Sequence, residues 1–582
     1  MSESGDALAD ITRKVANVQV NEDALKRVRE AQWTEPQKFD YDAYNAAPKD
    51  QRSSKSAADP HADVPTWAAN AMKYEWSDEY GDVGPAHPAL EDMLFGGDEK
   101  MQKGEEFKNV TFESETKIKP VARFEDAGLH PIMLRNVQLC KYDVPTPIQA
   151  YVLPSVLKNI DIIGIAQTGS GKTAAFLIPT LSKLMGKAKK LAAPRPNLTR
   201  PWTRADAVRA EPLILVISPT RELSTQIFDE ARRLCYRSML RPCVIYGGAP
   251  AQEQMDELRK GCDVLIATPG RLMDFMQRAH LLSLNRVKYT IIDEADEMVS
   301  PDWVDAMRQI MGGDSNDDDD HVYMMFSATF PREARAVAKE YMAKDHIRIR
   351  VGRAGSSHTN VTQKVLFVDE AMKRNCLFDL LLSMPPARTI VFVNNKKAAD
   401  LLDDFLYNCG MPSTSIHSDR TQREREDALR AFKTGKAPLL VATGLSARGL
   451  DIKNVMHVIN YDLPDSDYGG IHDYVHRIGR TARIGNVGMA TSFYNDKNED
   501  IAEALTKLLL ETQQEVPDFL DGYKPENVED LQFDDDTDNE DEDTEAGGDA
   551  WGIPAPNANG GSKGEAAGGW GTDAAAADDG WN

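Results

Sequence analysis

The run YTIIDEADEMV (residues 289–299) carries apolar residues straight into Asp293, Glu294, Ala295 and Asp296. Three carboxylates so close together repel one another unless a positive charge sits among them. The octapeptide AQTGSGKT (166–173) supplies the setting for one. It follows the strand-like DIIGI (161–165) and precedes the helical TAAFL, as a phosphate-binding loop requires. Gly169 and Gly171 let backbone N–H groups approach phosphate oxygens, and Ser170 lies between them. Lys172 has the reach for β- and γ-phosphates, and the Thr173 hydroxyl can ligate Mg²⁺. The N-terminus of the helix that carries Ala174 adds partial positive charge. The positive object is then Mg²⁺ on a nucleotide. Asp293 holds it through its water shell, because Mg²⁺ dehydrates reluctantly. Glu294 orients and helps deprotonate the attacking water. Asp296 lies too far along to serve the same ion and is placed to couple to another motif. Ala166 stands where the general loop motif opens with Gly.

These motifs need elements that bring their ends together. Short β-rich runs recur at 161–165, 212–217, 263–267, 289–293 and 322–326, with segments of helical character between them. That alternation predicts a parallel sheet with helices on both faces. The small, polar VGRAGSSHTNVTQ (351–363) reads as a linker. A second series follows at 389–393, 413–417, 438–443, 456–461 and 490–494. The expected fold class is therefore α/β, with two tandem parallel-sheet domains at 111–350 and 363–523, a linker at 351–362, and a ligand cleft between the domains.

The chain of 582 residues has a net charge of −24. Residues 511–582 hold 21 acidic side chains against two lysines, and residues 1–110 hold 22 against 13 basic ones. The middle, 111–510, is left at +4, so whole-chain charge says little about what the middle binds. Both ends read as acidic, largely disordered extensions, 1–110 and 524–582. The first carries aromatic islands such as MKYEWSDEYGDV (72–83), and the second carries Trp551, Trp570 and Trp581 beside glycines. Either could dock on partner proteins. The basic insertion 186–211 reads as a solvated loop, with a contact to nucleic-acid phosphates as the alternative. Six cysteines without a CxxC pair argue against a zinc site or a disulfide framework and for a reduced, intracellular setting. With no signal-peptide pattern and no apolar run of membrane-spanning length, a soluble protein without membrane association is expected.

Taken together, the motifs over roughly 110–515 resemble those of DEAD-box RNA helicases of superfamily 2, which implies two RecA-like domains. KYDVPTPIQ (141–149) is similar to the family's adenine-reading motif. The resemblance implies that Phe124 and Tyr142 lie at the base, with Tyr142 stacking on it, and that Gln149 reads its edge, favouring ATP. Pro219, Thr220, Arg221, Gly248, Thr268, Pro269, Gly270 and Arg271 stand in motifs that grip RNA in the first domain, and Gln422, Arg425 and Thr443 in those of the second. Ser327 and Thr329 of the SAT segment, with Arg448 and His476, match coupling positions. Asp451 matches a ribose contact. Arg480 and Arg483 of HRIGRTARIG match arginine fingers, which with Lys172 and Glu294 make up the implied catalytic set. Lys141 and Ala482 stand where the family favours Gly, Gly444 where Asp, Ala or Ser is usual, and Glu297 where Arg is common.

The implied cofactors are ATP and Mg²⁺. The implied partner is single-stranded or duplex RNA, gripped by its sugar–phosphate backbone with little sequence specificity. Local, non-processive strand separation by a monomeric core follows from the resemblance. LFGGDEKMQKGEEFKNVTFE (94–113) and the acidic Trp-bearing end resemble the Vasa-like branch that acts on messenger RNA in translation initiation, which implies a cytoplasmic protein with nuclear shuttling open to it. A rival reading is an ATP-gated RNA clamp with weak catalysis that recruits partners through its tails.

Overall fold

The computed structural model describes residues between 84 and 525, apart from 85, 97–109, 114–115, 168, 186, 188–190, 192–202, 204, 206, 299–302, 312–320, 331, 352–360, 385–386, 445–451, 453–454, 466–469 and 483–487. The first sheet contains β1 (Val110–Glu113), β2 (Ile162–Ala166), β3 (Ile214–Ile217), β4 (Pro242–Ile245), β5 (Val264–Ala267), β6 (Tyr289–Asp293), β7 (Val322–Ser327) and β8 (Ile347–Val351). Their order across the sheet is β1-β8-β2-β7-β6-β3-β5-β4. The second sheet contains β9 (Val361–Phe367), β10 (Thr389–Val393), β11 (Ser413–Ile416), β12 (Leu439–Thr443), β13 (His457–Asn460) and β14 (Gly488–Tyr494). Their order is β11-β12-β10-β13-β14-β9. Every pairing is parallel except that of β1, which adds antiparallel to the β8 edge with Phe112 opposite Ile349.

The strands β2, β3, β5, β6, β10, β12 and β13 are buried along their whole length. That explains their unbroken apolar runs, since a parallel sheet is covered by helices on both faces. The helices that matter for the site are α1 (Pro88–Phe95), α2 (Pro147–Leu157), α3 (Lys172–Met185), α4 (Arg221–Leu234), α5 (Pro269–Met276), α6 (Gln422–Lys433), α7 (Gly470–Ile478) and α8 (Glu499–Glu511). Several begin with a cap that the sequence spells out. Thr146 and Gln149 form a reciprocal capping box ahead of α2, Thr220 accepts from Leu223 N at α4, and Thr421 and Glu424 repeat the box at α6.

All ten strand-like runs of the sequence are strands. Missing from the expectation were β1, β4, β8 and β9, which alternate or are short. β9 starts at Val361, inside the range expected for the linker.

Within the N-terminal extension expected over 1–110, residues 84–96 include a helix that packs on the first domain. Pro88 opens α1, His87 Nδ1 accepts from Leu90 N at 3.2 Å, and Leu90 is buried in the first domain's core. Tyr236 receives the helix: its hydroxyl accepts from His87 N at 3.0 Å and donates to Glu91 Oε2 at 3.1 Å, and its ring meets Phe95 edge-on. The aromatic islands at 72–83, most of the basic insertion and the tail from 526 lie outside the described residues. Among the described residues no helix is long and apolar enough to cross a membrane, and all six cysteines are free.

Candidate active site

The parallel topology gathers the motifs at the carboxyl ends of β2, β6 and β7, where ligands bind in open α/β sheets. Ile165 pairs with Ser327, and Asp293 pairs with Phe326, so the phosphate loop, the DEAD carboxylates and the SAT segment leave adjacent strand ends. Gly169 and Gly171 both have positive φ, +80° and +87°, in the turn that leads into α3. A Cβ on Gly171 would lie 2.5 Å from Gln149 Nε2, and that amide donates to Gly171 O at 3.1 Å. Gln149 therefore braces the loop, while its Oε1 accepts from Thr146 N at 3.0 Å.

Lys172 is buried, and its ammonium donates to Ala166 O at 2.7 Å. Asp293 is fully enclosed at the end of β6, and Glu294 N donates to its Oδ1. Burial pushes the Asp293 carboxyl up to about 7; neighbouring Glu294 adds to the rise, and the Lys172 charge opposes it. A cation joining such a carboxyl favours its ionised form. Glu294 itself has φ +53°, an uncommon conformation for a side-chain-bearing residue, and its buried Oε2 has no hydrogen-bond partner. Ser170 Oγ is likewise buried without one. Orphaned oxygens, a buried cation and a carboxyl poised for a second cation fit a Mg²⁺-bound triphosphate. Thr173 and Asp293 would hold the ion.

Asp296 faces the second domain. Thr329 Oγ1 donates to its Oδ2 at 2.6 Å, and His476 Nε2 of α7 lies 3.3 Å from the same oxygen. Burial disfavours its charge, but His476 and the hydroxyls of Ser327 and Thr329 outweigh that and hold the carboxyl well below its ordinary value. One turn on, Arg480 is buried and its Nε donates to His476 O at 2.9 Å. The helix α7 is fixed by Arg477, which bonds Asp473 at 2.7 Å, Asp462 O at 2.8 Å and Asn394 Oδ1 at 3.1 Å.

The sequence matches the DEAD/DEAH box helicase family over residues 146–337 and the helicase conserved C-terminal domain over 372–485. Among solved structures, it resembles Saccharomyces cerevisiae Dbp5 bound to RNA and ADP BeF3, with 28% identity, TM-score 0.57, and coverage of 67% of this chain and 93% of that one. It is 30% identical to a DEAD box protein from Methanococcus jannaschii, covering 68% of this chain and 99% of that one, TM-score 0.39. The yeast DEAD-box splicing factor Prp28 is 31% identical, with 69% and 88% covered and TM-score 0.38. The chain belongs to the DEAD-box helicase family. Its activity is that of an ATP-dependent RNA helicase, and its cofactors are ATP and Mg²⁺.

The resemblance puts Phe124 and Tyr142 at this helicase's base site. Phe124 and Tyr142 are 2% and 7% exposed, so neither offers a ring face to a ligand. Both belong to the first domain's core, and the Tyr142 hydroxyl donates to Glu230 of α4. Burial, with Glu230 beside it, pushes the phenol well above its ordinary range. Tyr142 is a packing residue whose polar tip is satisfied inside the domain.

The grip motifs of the helicase also meet across the domains. Arg221 Nη1 donates to Gln422 Oε1 at 3.2 Å, and Arg425 Nη2 lies 2.7 Å from Glu222 Oε1, a close ion pair rather than a well-aligned hydrogen bond. Gln422 and Arg425, expected on RNA, are engaged with the first domain. Sequence reasoning passed over Glu222, although it directly follows Arg221 in the run PTREL (219–223). A Cβ on Gly248 would lie 2.1 Å from Arg221 Nη1, so the glycine makes room for a guanidinium as well as for backbone approach. Thr268 caps α5 with Pro269 as its first residue, and Arg271 reaches Ala249 O at 3.1 Å. Gly270 has open space around it, and Thr443 closes β12.

One departure from the family pattern acquires a reason. A Cβ at Gly444 would press on Asp473 Oδ2 at 2.9 Å and Arg477 Nη2 at 3.1 Å, so the glycine fits the ion pair that anchors α7 and is not simply loose. Lys141 and Ala482 have φ +61° and +52°. The family's glycines suit that left-handed region, and here two side chains are forced into it. Arg448, Asp451 and Arg483 lie outside the described residues.

Proposed function

We propose that this helicase hydrolyses ATP in response to single-stranded RNA and separates short RNA duplexes, or remodels RNA–protein complexes, by local strand bending without long travel. The observation that carries this is the pair of interdomain ties, Asp296 to His476 beside the DEAD carboxylates and Glu222 to Arg425 among the grip motifs. Each ligand site is built from both domains. A ligand in either favours the same closed state, and by linkage each tightens the other.

Within that state Lys172 leaves Ala166 O for phosphate oxygens, Gln149 keeps the loop in shape, and the backbone N–H groups of 169–174 cradle the triphosphate. Glu294, strained and without a partner at Oε2, takes the proton of the attacking water. Bound Mg²⁺ supplies charge neutralisation at the transferred phosphoryl group. Arg480 and Arg483 stabilise the charge of the loose transition state from the second domain. Ser327, Thr329, Arg448 and His476 report that state to the RNA side. Arg221, Arg271, Thr268, Gly270 and Thr443 hold the RNA backbone, and Gln422 and Arg425 join that grip through their ties to Arg221 and Glu222. Loss of the phosphate reopens the domains and frees the RNA.

The resemblance of 94–113 and of the acidic Trp-bearing tail to the Vasa-like branch supports a role on messenger RNA in translation initiation, in the cytoplasm, with protein partners docking on the terminal segments. A clamp with slow turnover is the second reading, favoured by the strained Ala482 next to the arginine fingers. Strand-separation assays on short and long RNA duplexes test the first. Separation that fades steeply with duplex length is expected, and equal yield on long duplexes contradicts local action. Tight ATP-dependent RNA retention with no separation on any duplex selects the clamp. Addition of the chain to a translation extract depleted of it tests the process; unchanged initiation rates contradict that assignment.

A further inference from the structure

Glu294, Asp296 and His476 bring two carboxylates and an imidazole together, with one ligand atom of each within 4.8 Å of the others. We propose that they form a site for a divalent transition-metal ion such as Zn²⁺, separate from the Mg²⁺ position at Asp293, and that an ion bound there staples the two domains and halts turnover.

The distances favour an ion over a simple ion pair. His476 Nε2 and Asp296 Oδ2 are 3.3 Å apart, and the imidazole nitrogen makes no well-formed hydrogen bond. Ligand atoms at about 2.0–2.1 Å from a tetrahedral ion lie about 3.3 Å from each other. The third donor is available: Glu294 is 9% exposed, and its Oε2 is buried without a partner. A rotation of that side chain brings it into range. Asp296 is already oriented, by Thr329 Oγ1 at 2.6 Å on one oxygen and Glu297 N at 3.1 Å on the other. Second-shell bonds of this kind fix the ligand geometry of metal sites.

The donor set also selects the ion. Mg²⁺ prefers six oxygens and keeps its waters, whereas an imidazole with two carboxylates suits Zn²⁺ and its first-row neighbours. The two carboxylates balance the ion's charge. Because Glu294 and Asp296 follow β6 of the first domain and His476 belongs to α7 of the second, the complete site exists only when the domains meet. Binding to one conformation draws the population toward it. Coordination of Glu294 would also occupy the group needed for the attacking water.

The test uses the full chain without nucleotide or RNA, so that its failure is separable from failure of the ATPase reading. Co²⁺, a spectroscopic stand-in for Zn²⁺, is titrated while its visible absorption is followed. Zn²⁺ is then titrated against a fluorophore pair carried by the two domains. One equivalent of Co²⁺, displaced by Zn²⁺, is expected, along with a rise in energy transfer that excess Mg²⁺ does not reproduce. His476→Asn and the isosteric Glu294→Gln are each expected to weaken binding about tenfold or more and to abolish the rise. Binding unchanged in both variants overturns the proposal, as does binding lost in Cys409→Ser, which removes the exposed thiol. Metal binding without domain closure in the wild type overturns the staple.

Discussion

Arg425 of the second domain lies 2.7 Å from Glu222 of the first, with the two side chains 9% and 3% exposed. Burial pushes the Glu222 carboxyl up and the Arg425 charge pulls it back, so the carboxylate depends on its partner. Removing one member of a buried pair leaves an uncompensated charge, at a cost of about 3–5 kcal/mol. Here the cost falls on domain closure. In Glu222→Gln, RNA affinity in the presence of a non-hydrolysable ATP analogue is expected to drop about 10- to 100-fold. A double-mutant cycle with Arg425→Gln should return a coupling energy of about 1–3 kcal/mol. Strict additivity would show that the contact carries no closure energy.

The Tyr142 hydroxyl carries a test of the observed packing. In Tyr142→Phe the ring stays and the bond to Glu230 goes, so stability should fall by about 1–2 kcal/mol with ATP affinity unchanged. Unfolding by denaturant and nucleotide titration measure the two. A large loss of ATP affinity at unchanged stability contradicts the packing role.

Lys141 and Ala482 hold left-handed backbone that glycine adopts without strain. Lys141→Gly and Ala482→Gly should each stabilise the protein by up to about 1 kcal/mol, the relief of strain exceeding the entropy that glycine adds to the unfolded chain. For Ala482→Gly faster ATP turnover is expected as well, because the residue lies between Arg480 and Arg483. Destabilisation of both variants would show that the local conformation is not strained.

His457 gives the second domain an acid dependence. It is buried on β13, its Nε2 is 2.9 Å from Thr491 Oγ1, and burial drives its pKa down to about 3. The unfolded chain protonates it near 6.5, so between these values the unfolded state binds the extra proton. Stability from this group is complete above about pH 6.5 and is lost as pH falls toward 3, by up to about 1.4 kcal/mol per pH unit. Denaturant midpoints measured between pH 7 and 4 should fall less steeply in His457→Gln, by about one proton's worth of slope. An identical slope would place the acid sensitivity elsewhere.

What the sequence made legible was periodic or local. Asp293 and Lys172 sit on strand–loop–helix junctions whose apolar runs are buried on both faces, and each run could be recognised alone. The cap residues Thr146, Thr220 and Thr421 are equally local. The rest depends on partners far along the chain. Tyr142 reads as a stacking ring until Glu230 is found against its hydroxyl. Glu222 draws no notice in the sequence until Arg425 is found against it from the other domain. Gly444 is only a departure from a pattern until Asp473 and Arg477 are found where its Cβ would sit. The helix α1 was missed because its anchor, Tyr236, lies across the fold, and PALEDMLF alone is too short to declare a core.

The central claim is that Glu294, strained and without a partner for its Oε2, handles the attacking water in a reaction that RNA switches on. The measurement that tests it most directly is Mg²⁺-ATP hydrolysis by the full chain, with and without single-stranded RNA, beside Glu294→Gln. RNA is predicted to raise turnover of the wild type at least about tenfold, and the variant is predicted to lose about 10²- to 10⁴-fold of it while still binding ATP. Turnover that ignores RNA, or that survives the loss of the carboxylate, contradicts the account.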